Sequence, residues 1–153
     1  MRRPAARVGL ATMRTLSFVV SCSLAAFAVT GAACSKDKAK PTAKAGPATV
    51  SVDELAKQLD AKAARPVDAN GDKTRKDVGF IPGAVLLTDY ETYAATELPA
   101  DKAQPLVFYC ANEQCGASHE AAAKAMSLGY KDVKVLTAGI MGWTQAGQRV
   151  EKL

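Results

Sequence analysis

Along the chain, hydrophobic and polar positions fall into three regimes. Leu16 to Val29 is an apolar run broken only by Ser17, Ser21, Cys22 and Ser23. Residues 34–47 are polar and aperiodic, rich in Lys, Ala and Pro. From Ala48 onward, short β-rich runs alternate with helical patterns. Ser51-Val52-Asp53-Glu54 has the spacing of a capping box, opening a helix with Leu55 and Leu59 on one face. Pro66-Val67-Asp68-Ala69 reads as a short strand, closed by the turn residues Asn70-Gly71-Asp72. Ala84-Val85-Leu86-Leu87, entered through Ile81-Pro82-Gly83, reads as another, with a short helix expected from Asp89 to about Glu97. The continuous apolar run Leu106-Val107-Phe108-Tyr109 is the pattern of a strand buried on both faces, in the middle of a parallel sheet. A small polar loop, 110–116, follows. Then come a helix over about 117–128, stopped before Gly129, a strand Val133-Lys134-Val135-Leu136, and a short helix near 140–146. Strands alternating with helices imply an α/β domain with right-handed crossovers and a parallel sheet covered on both faces. In such sheets ligands bind beyond the carboxyl ends of the strands, which is where Cys110 falls.

The 153 residues hold 20 Lys+Arg against 15 Asp+Glu, a net charge of +5. That basic balance would point to nucleic acid if it were spread over the domain, and it is not. No acid precedes Asp37, and Arg2, Arg3, Arg7 and Arg14 crowd the start. Positive residues, a short apolar run and the small residues Gly31-Ala32-Ala33 form a secretory signal over 1–33. The run is too short for a membrane-spanning helix, which needs roughly 20 residues. Gly31-Ala32-Ala33-Cys34 resembles the lipobox of bacterial lipoproteins, with Gly31 where Leu is usual. The resemblance implies acylation of Cys34, and Ser35 after it favours the outer membrane. Ordinary cleavage after Ala33, giving a soluble periplasmic or secreted protein, is the alternative. Residues 34–47 have the composition of an extended tether. Signal and tether together account for the positive charge, leaving residues 48–153 mildly acidic. No nucleic-acid partner is expected, and the membrane is met through the lipid anchor alone.

Of four cysteines, Cys22 leaves with the signal and Cys34 is the lipid site, so Cys110 and Cys115 are the thiols of the domain. A tight loop running into a helix N-terminus turns backbone N–H groups inward as an anion cradle. Such a cradle stabilises a thiolate, the reactive form of cysteine, or the anionic sulfur of a persulfide. The bland alternative is a buried structural cysteine at a strand end.

At this point the chain resembles the rhodanese family over most of Thr49–Leu153. The resemblance rests on Val52-Asp53-Glu54-Leu55, Arg65-Pro66-Val67-Asp68, Ile81-Pro82-Gly83-Ala84, Val107-Phe108-Tyr109-Cys110 and Ala138-Gly139-Ile140-Met141-Gly142-Trp143. It implies a single rhodanese-like domain over 48–153 with a five-stranded parallel sheet. It also implies Cys110 as the nucleophile that accepts sulfane sulfur and passes it to cyanide or a thiol. The active-site loop is Cys110, Ala111, Asn112, Glu113, Gln114 and Cys115, ending at Gly116. Asn70 stands where active members carry Arg, Phe80 where His is usual, and the loop holds Glu113 but no Lys or Arg. Such a loop is electrostatically poor for the thiosulfate dianion, and it lacks the bidentate cation that related cysteine phosphatases need.

Three functions follow from these residues. The first is a sulfurtransferase or persulfide carrier at the cell envelope, facing the periplasm, with Cys110 as acceptor and a small sulfur donor or thiol acceptor as partner. The second is a thiol–disulfide redox protein, Cys110 and Cys115 exchanging with a partner dithiol, or Cys115 resolving a persulfide or sulfenate on Cys110. The third is a catalytically degenerate binding module. No cofactor is implied. Cys110, Cys115 and His119 lack a fourth ligand and are not assigned as a metal site. His119 reads as a helix-start residue, Trp143 as structural, and Asp89-Tyr90-Glu91 as a solvated helix start.

Overall fold

The computed structural model describes residues 46–153. The expected signal, Cys34 and nearly all of the tether lie outside them. At the centre is the expected strand, Leu106–Tyr109, fully buried along its length. It alternates between two cores. Leu106 and Phe108 face one, with Ala121, Ala122 and Ala125. Val107 and Tyr109 face the other, with Leu55, Ile81, Ile140 and Trp143. Burial on both faces is why the segment reads as an unbroken apolar run rather than an alternating one.

In chain order the elements are β1 (Ala48–Thr49), α1 (Val52–Asp60), β2 (Arg65–Asp68), α2 (Asp72–Asp77), β3 (Val85–Leu86), β4 (Leu106–Tyr109), α3 (Ala117–Ser127), β5 (Val133–Leu136) and α4 (Gly139–Gln145). The five strands form one sheet in the order β1-β5-β4-β2-β3. Every pairing is parallel. The chain is therefore α/β with helices packed on both faces, as the alternating pattern requires. α1 and α4 cover one face and α3 the other. Ser51 caps α1 by accepting from the Glu54 N–H at 3.2 Å. At Gly129, φ is +94°, the left-handed conformation that ends α3 and turns the chain toward β5.

Two local expectations are corrected, and one strand was not foreseen. Asn70-Gly71-Asp72 is not a simple turn: it leads directly into α2, an element the apolar pattern misses because its sequence, Asp-Lys-Thr-Arg-Lys-Asp, holds no hydrophobic residue. The helix expected from Asp89 to Glu97 reduces to a turn and one 3-10 turn, Ala95–Glu97. There the Asp89 carboxylate accepts from the N–H groups of Glu91 and Thr92 and from the Thr92 hydroxyl, at 2.8–2.9 Å. A short carboxylate satisfied this way competes with helix propagation. Lys124 fastens the segment to α3, donating to the carbonyls of Glu91 and Tyr93 at 2.7 and 2.8 Å. Finally, β1 is a two-residue edge strand, too short to leave a periodic signal.

Candidate active site

The carboxyl ends of β2, β4 and β5 meet at one edge of the sheet, and Cys110 is the first residue beyond β4. It is 1% exposed. The loop after it is tied down from two sides. Within the loop, the Cys115 N–H donates to the Asn112 carbonyl (3.1 Å) and the Gln114 N–H to Asn112 Oδ1 (3.0 Å). From outside, the first turn of α4 donates Ile140 N–H to the Cys110 carbonyl (2.8 Å) and Met141 N–H to the Ala111 carbonyl (3.0 Å).

That docking explains Gly139. Its φ is +60°, and a Cβ there would sit 2.6 Å from the Ala111 carbonyl group and the Cys110 oxygen. Only glycine lets α4 begin against the loop backbone.

The Cys110 sulfur lies under the loop. It is 3.0 Å from the Cys115 carbonyl oxygen, 3.8 Å from that of Asn112 and 3.3 Å from the Ser118 hydroxyl. Ser118, 1% exposed, reaches it from the first turn of α3. The expected cradle is present but is divided between two sulfurs. The Ser118 hydroxyl and N–H favour the Cys110 thiolate. The Ala111 and Ala117 N–H groups favour that of Cys115.

The balance differs at the two thiols. Burial, reinforced by Cys115, pushes Cys110 above the ordinary thiol range despite Ser118. Burial also opposes ionisation at Cys115, but the Cys110 thiol and the two backbone N–H groups together outweigh it and bring it down. The cradle expected for Cys110 is thus shared with Cys115, and burial works against it at Cys110. Within the pair, ionisation is favoured at the half-buried Cys115 over Cys110. Both thiols are free.

A cleft of about 350 Å³ opens beside the loop, lined by Asn112, Glu113, Gln114, Ala138, Met141, Gly142 and Gln145. The lining holds three side-chain amides, one thioether and one carboxylate, and no Lys or Arg. Asn112 Nδ2 meets Met141 Sδ at 3.7 Å, bridging loop and helix across it. Gly116 starts α3 and is exposed, and so is His119 just inside the helix. Among the described residues, no three of His, Cys, Asp and Glu gather as metal ligands, and no helix is long and apolar enough to cross a membrane. Trp143 is buried, donating from Nε1 to the Arg149 carbonyl at 2.9 Å.

One cation was missed by the sequence reading. Arg75, on the unforeseen α2, is 4% exposed and reaches the fully buried Asp68 at the end of β2. Its Nε bonds Asp68 Oδ2 at 3.2 Å, and its terminal nitrogens reach the Asp68 and Leu87 carbonyls and the Asp72 carboxylate at 2.8–3.2 Å. Asn70, standing where an arginine was looked for, donates its N–H and side-chain amide to Asp68 Oδ1 at 2.8 and 2.7 Å. Even so, burial holds the Asp68 carboxyl above its ordinary value, against Asn70 and Arg75. All three guanidinium nitrogens are engaged, so Arg75 braces the strand end and does not face the cleft.

Comparison with known proteins agrees with this architecture. A sequence profile described as the Rhodanese-like domain matches residues 51–146. No curated protein sequence matches the chain significantly. Similar solved structures include a protein from Bacillus halodurans, 24% identical over 69% of this chain and 77% of that one, with a TM-score of 0.61. The rhodanese-like domain of an Anabaena protein is 21% identical over 69% and 79% of the two chains, with a TM-score of 0.57. A human single-domain sulfurtransferase is 24% identical over 65% and 97%, with a TM-score of 0.54. At these identities the likeness concerns the fold.

Proposed function

The chain belongs to the rhodanese-like domain family, and we propose on that basis that it is a sulfurtransferase or persulfide carrier with Cys110 as the sulfur-accepting residue. The observation that carries the reading is the placement of Cys110. Its sulfur sits at the carboxyl end of the central strand, enclosed by its loop and 3.3 Å from the buried Ser118 hydroxyl. A sulfur so placed is shielded from bulk water, and a hydroxyl aimed at it stabilises an anion there.

In the first half-reaction the Cys110 thiolate attacks the outer sulfur of a donor persulfide, R–S–SH. The donor S–S bond breaks, RS⁻ leaves, and Cys110 becomes a persulfide. In the second half-reaction a nucleophile takes the outer sulfur. With cyanide, Cys110–S–SH and CN⁻ give the thiol and thiocyanate. Because Cys110 lies above the ordinary thiol range, sulfur uptake rises with pH through and beyond that range.

The cleft bears on the donor. It lies beside the loop and not on the Cys110 sulfur, and with Glu113 in its wall and no cation its field disfavours approach of a dianion such as thiosulfate relative to an organic persulfide of lower charge. Arg75 does not change this, because its guanidinium is spent on Asp68, Asp72 and Leu87. The proposal extends to location. The arginine-rich start, apolar run and Cys34 over 1–34 support export and lipid anchoring at the cell envelope, facing the periplasm, and 34–47 serve as tether.

Thiocyanate production from cyanide and an organic persulfide donor tests the reading. The wild-type chain is expected to turn over, and Cys110→Ser to fall to the uncatalysed rate. Equal rates in the two proteins would refute Cys110 as acceptor.

A further inference from the structure

We propose that Cys115 resolves the sulfur carried by Cys110: it attacks the inner sulfur of the Cys110 persulfide, closes a Cys110–Cys115 disulfide and expels hydrosulfide. The inference rests on the reading of Cys110 as sulfur acceptor and adds a product, hydrosulfide, and a partner class, a dithiol reductant.

The geometry carries it. Four residues separate the cysteines, but the turn closed by the Cys115 N–H on the Asn112 carbonyl folds residue 115 back over the strand end. The Cys110 sulfur then lies 3.0 Å from the Cys115 backbone oxygen. Both side chains pack against the same core cluster. They are also differently placed: Cys110 is 1% exposed, whereas Cys115 is half-buried and open to a partner. The buried residue suits storage of a reactive sulfur, and the accessible one suits exchange with another protein.

Their protonation is complementary as well. The N–H groups of Ala111 and Ala117, which remain when Cys110 is a persulfide, favour the Cys115 thiolate, the species that attacks a disulfide-type sulfur.

The step balances without an outside oxidant. Cys110–S–SH and the Cys115 thiolate give Cys110–S–S–Cys115 and HS⁻. The S–S bond of the persulfide breaks as the protein disulfide forms. The sulfane sulfur is reduced, the two protein sulfurs share the oxidation, and the proton leaves on hydrosulfide. A partner dithiol then reduces the disulfide and is itself oxidised to a disulfide, restoring both thiols.

The test uses the full chain. Reduced protein is mixed with cysteine persulfide, freed of donor, and sampled over time for hydrosulfide and by alkylation and trypsin digestion. Residues 103–124 form a single tryptic peptide that holds both cysteines and neither of the other two. The expected course is an early gain of about 32 Da on Cys110 giving way to a loss of about 2 Da, with close to one hydrosulfide per persulfide lost. In Cys115→Ser, and in Cys115→Ala should the serine variant fail to fold, hydrosulfide release per persulfide loaded drops roughly tenfold or more. A wild-type persulfide that persists on Cys110 without hydrosulfide would overturn the proposal while leaving Cys110 as acceptor. So would migration of the 32 Da to Cys115, or undiminished release in both variants. If neither mass change nor hydrosulfide appears in the wild type, the acceptor reading falls, and this proposal with it.

Discussion

At single positions, the chemistry turns on Cys110, Cys115 and Ser118. The cysteines were legible as candidates, because two thiols in one loop after a buried strand form a pattern. Their relative ionisation was not, since it depends on which sulfur is more deeply buried and which receives which N–H. Ser118 left no signal: a serine in the first turn of a helix usually faces solvent or caps, and only the packing of α3 turns it inward. Its role is to position and stabilise charge on Cys110. Ser118→Ala removes an influence that lowers Cys110, so the thiol moves further up. Sulfur uptake at neutral pH is expected to fall roughly threefold to tenfold. The pH at which Cys110 becomes alkylated by iodoacetamide is expected to rise, as read from labelling of the 103–124 peptide. In the wild type the same labelling is expected to modify Cys115 at lower pH than Cys110. A Ser118→Ala profile superimposable on the wild type would leave the hydroxyl without that role.

Among the elements, the strands and helices that bury apolar surface were the ones the pattern foretold: α1, β2, β3, β4, α3, β5 and α4. α2 was hidden because it is polar throughout and is held by one arginine rather than by an apolar face. Asp68 and Arg75 show what that arginine does. The pair is nearly solvent-free, at 0% and 4% exposure. Removing one member of such a pair leaves a buried charge unpaired, at a cost of about 3–5 kcal/mol. Arg75→Ala is therefore expected to lose that much stability in urea unfolding. The double variant Asp68→Asn with Arg75→Met is expected to recover part of it, since no lone charge remains. The turn near Asp89 carries the converse lesson. A helical pattern over 89–97 fails when a short carboxylate satisfies the local N–H groups itself.

For the whole molecule, the uneven charge separates two tasks. The net positive charge gathers over 1–47, and the mildly acidic domain carries a cleft with a carboxylate and no cation. On the proposed reading, the first task is reaching the envelope. Cys34→Ser is expected to move the protein from the membrane to the soluble fraction of host cells, with its sulfur chemistry intact on a per-molecule basis. Retention of the variant in the membrane fraction would argue against a lipid anchor at that residue. The second task, on the same reading, is sulfur transfer, for which the carboxyl edge of the sheet gathers the ends of β2, β4 and β5 around one enclosed thiol. Gly139 shows how tightly the elements are fitted there, with no room for a Cβ between α4 and the loop. The account stands or falls on where the sulfur first lands. Quenching the reaction with organic persulfide by alkylation at the earliest times and fragmenting the 103–124 peptide reads this directly. We expect an added sulfur on Cys110, and its loss as thiocyanate in an aliquot treated with cyanide before alkylation. An added sulfur found first on Cys115, or on neither residue, would contradict it.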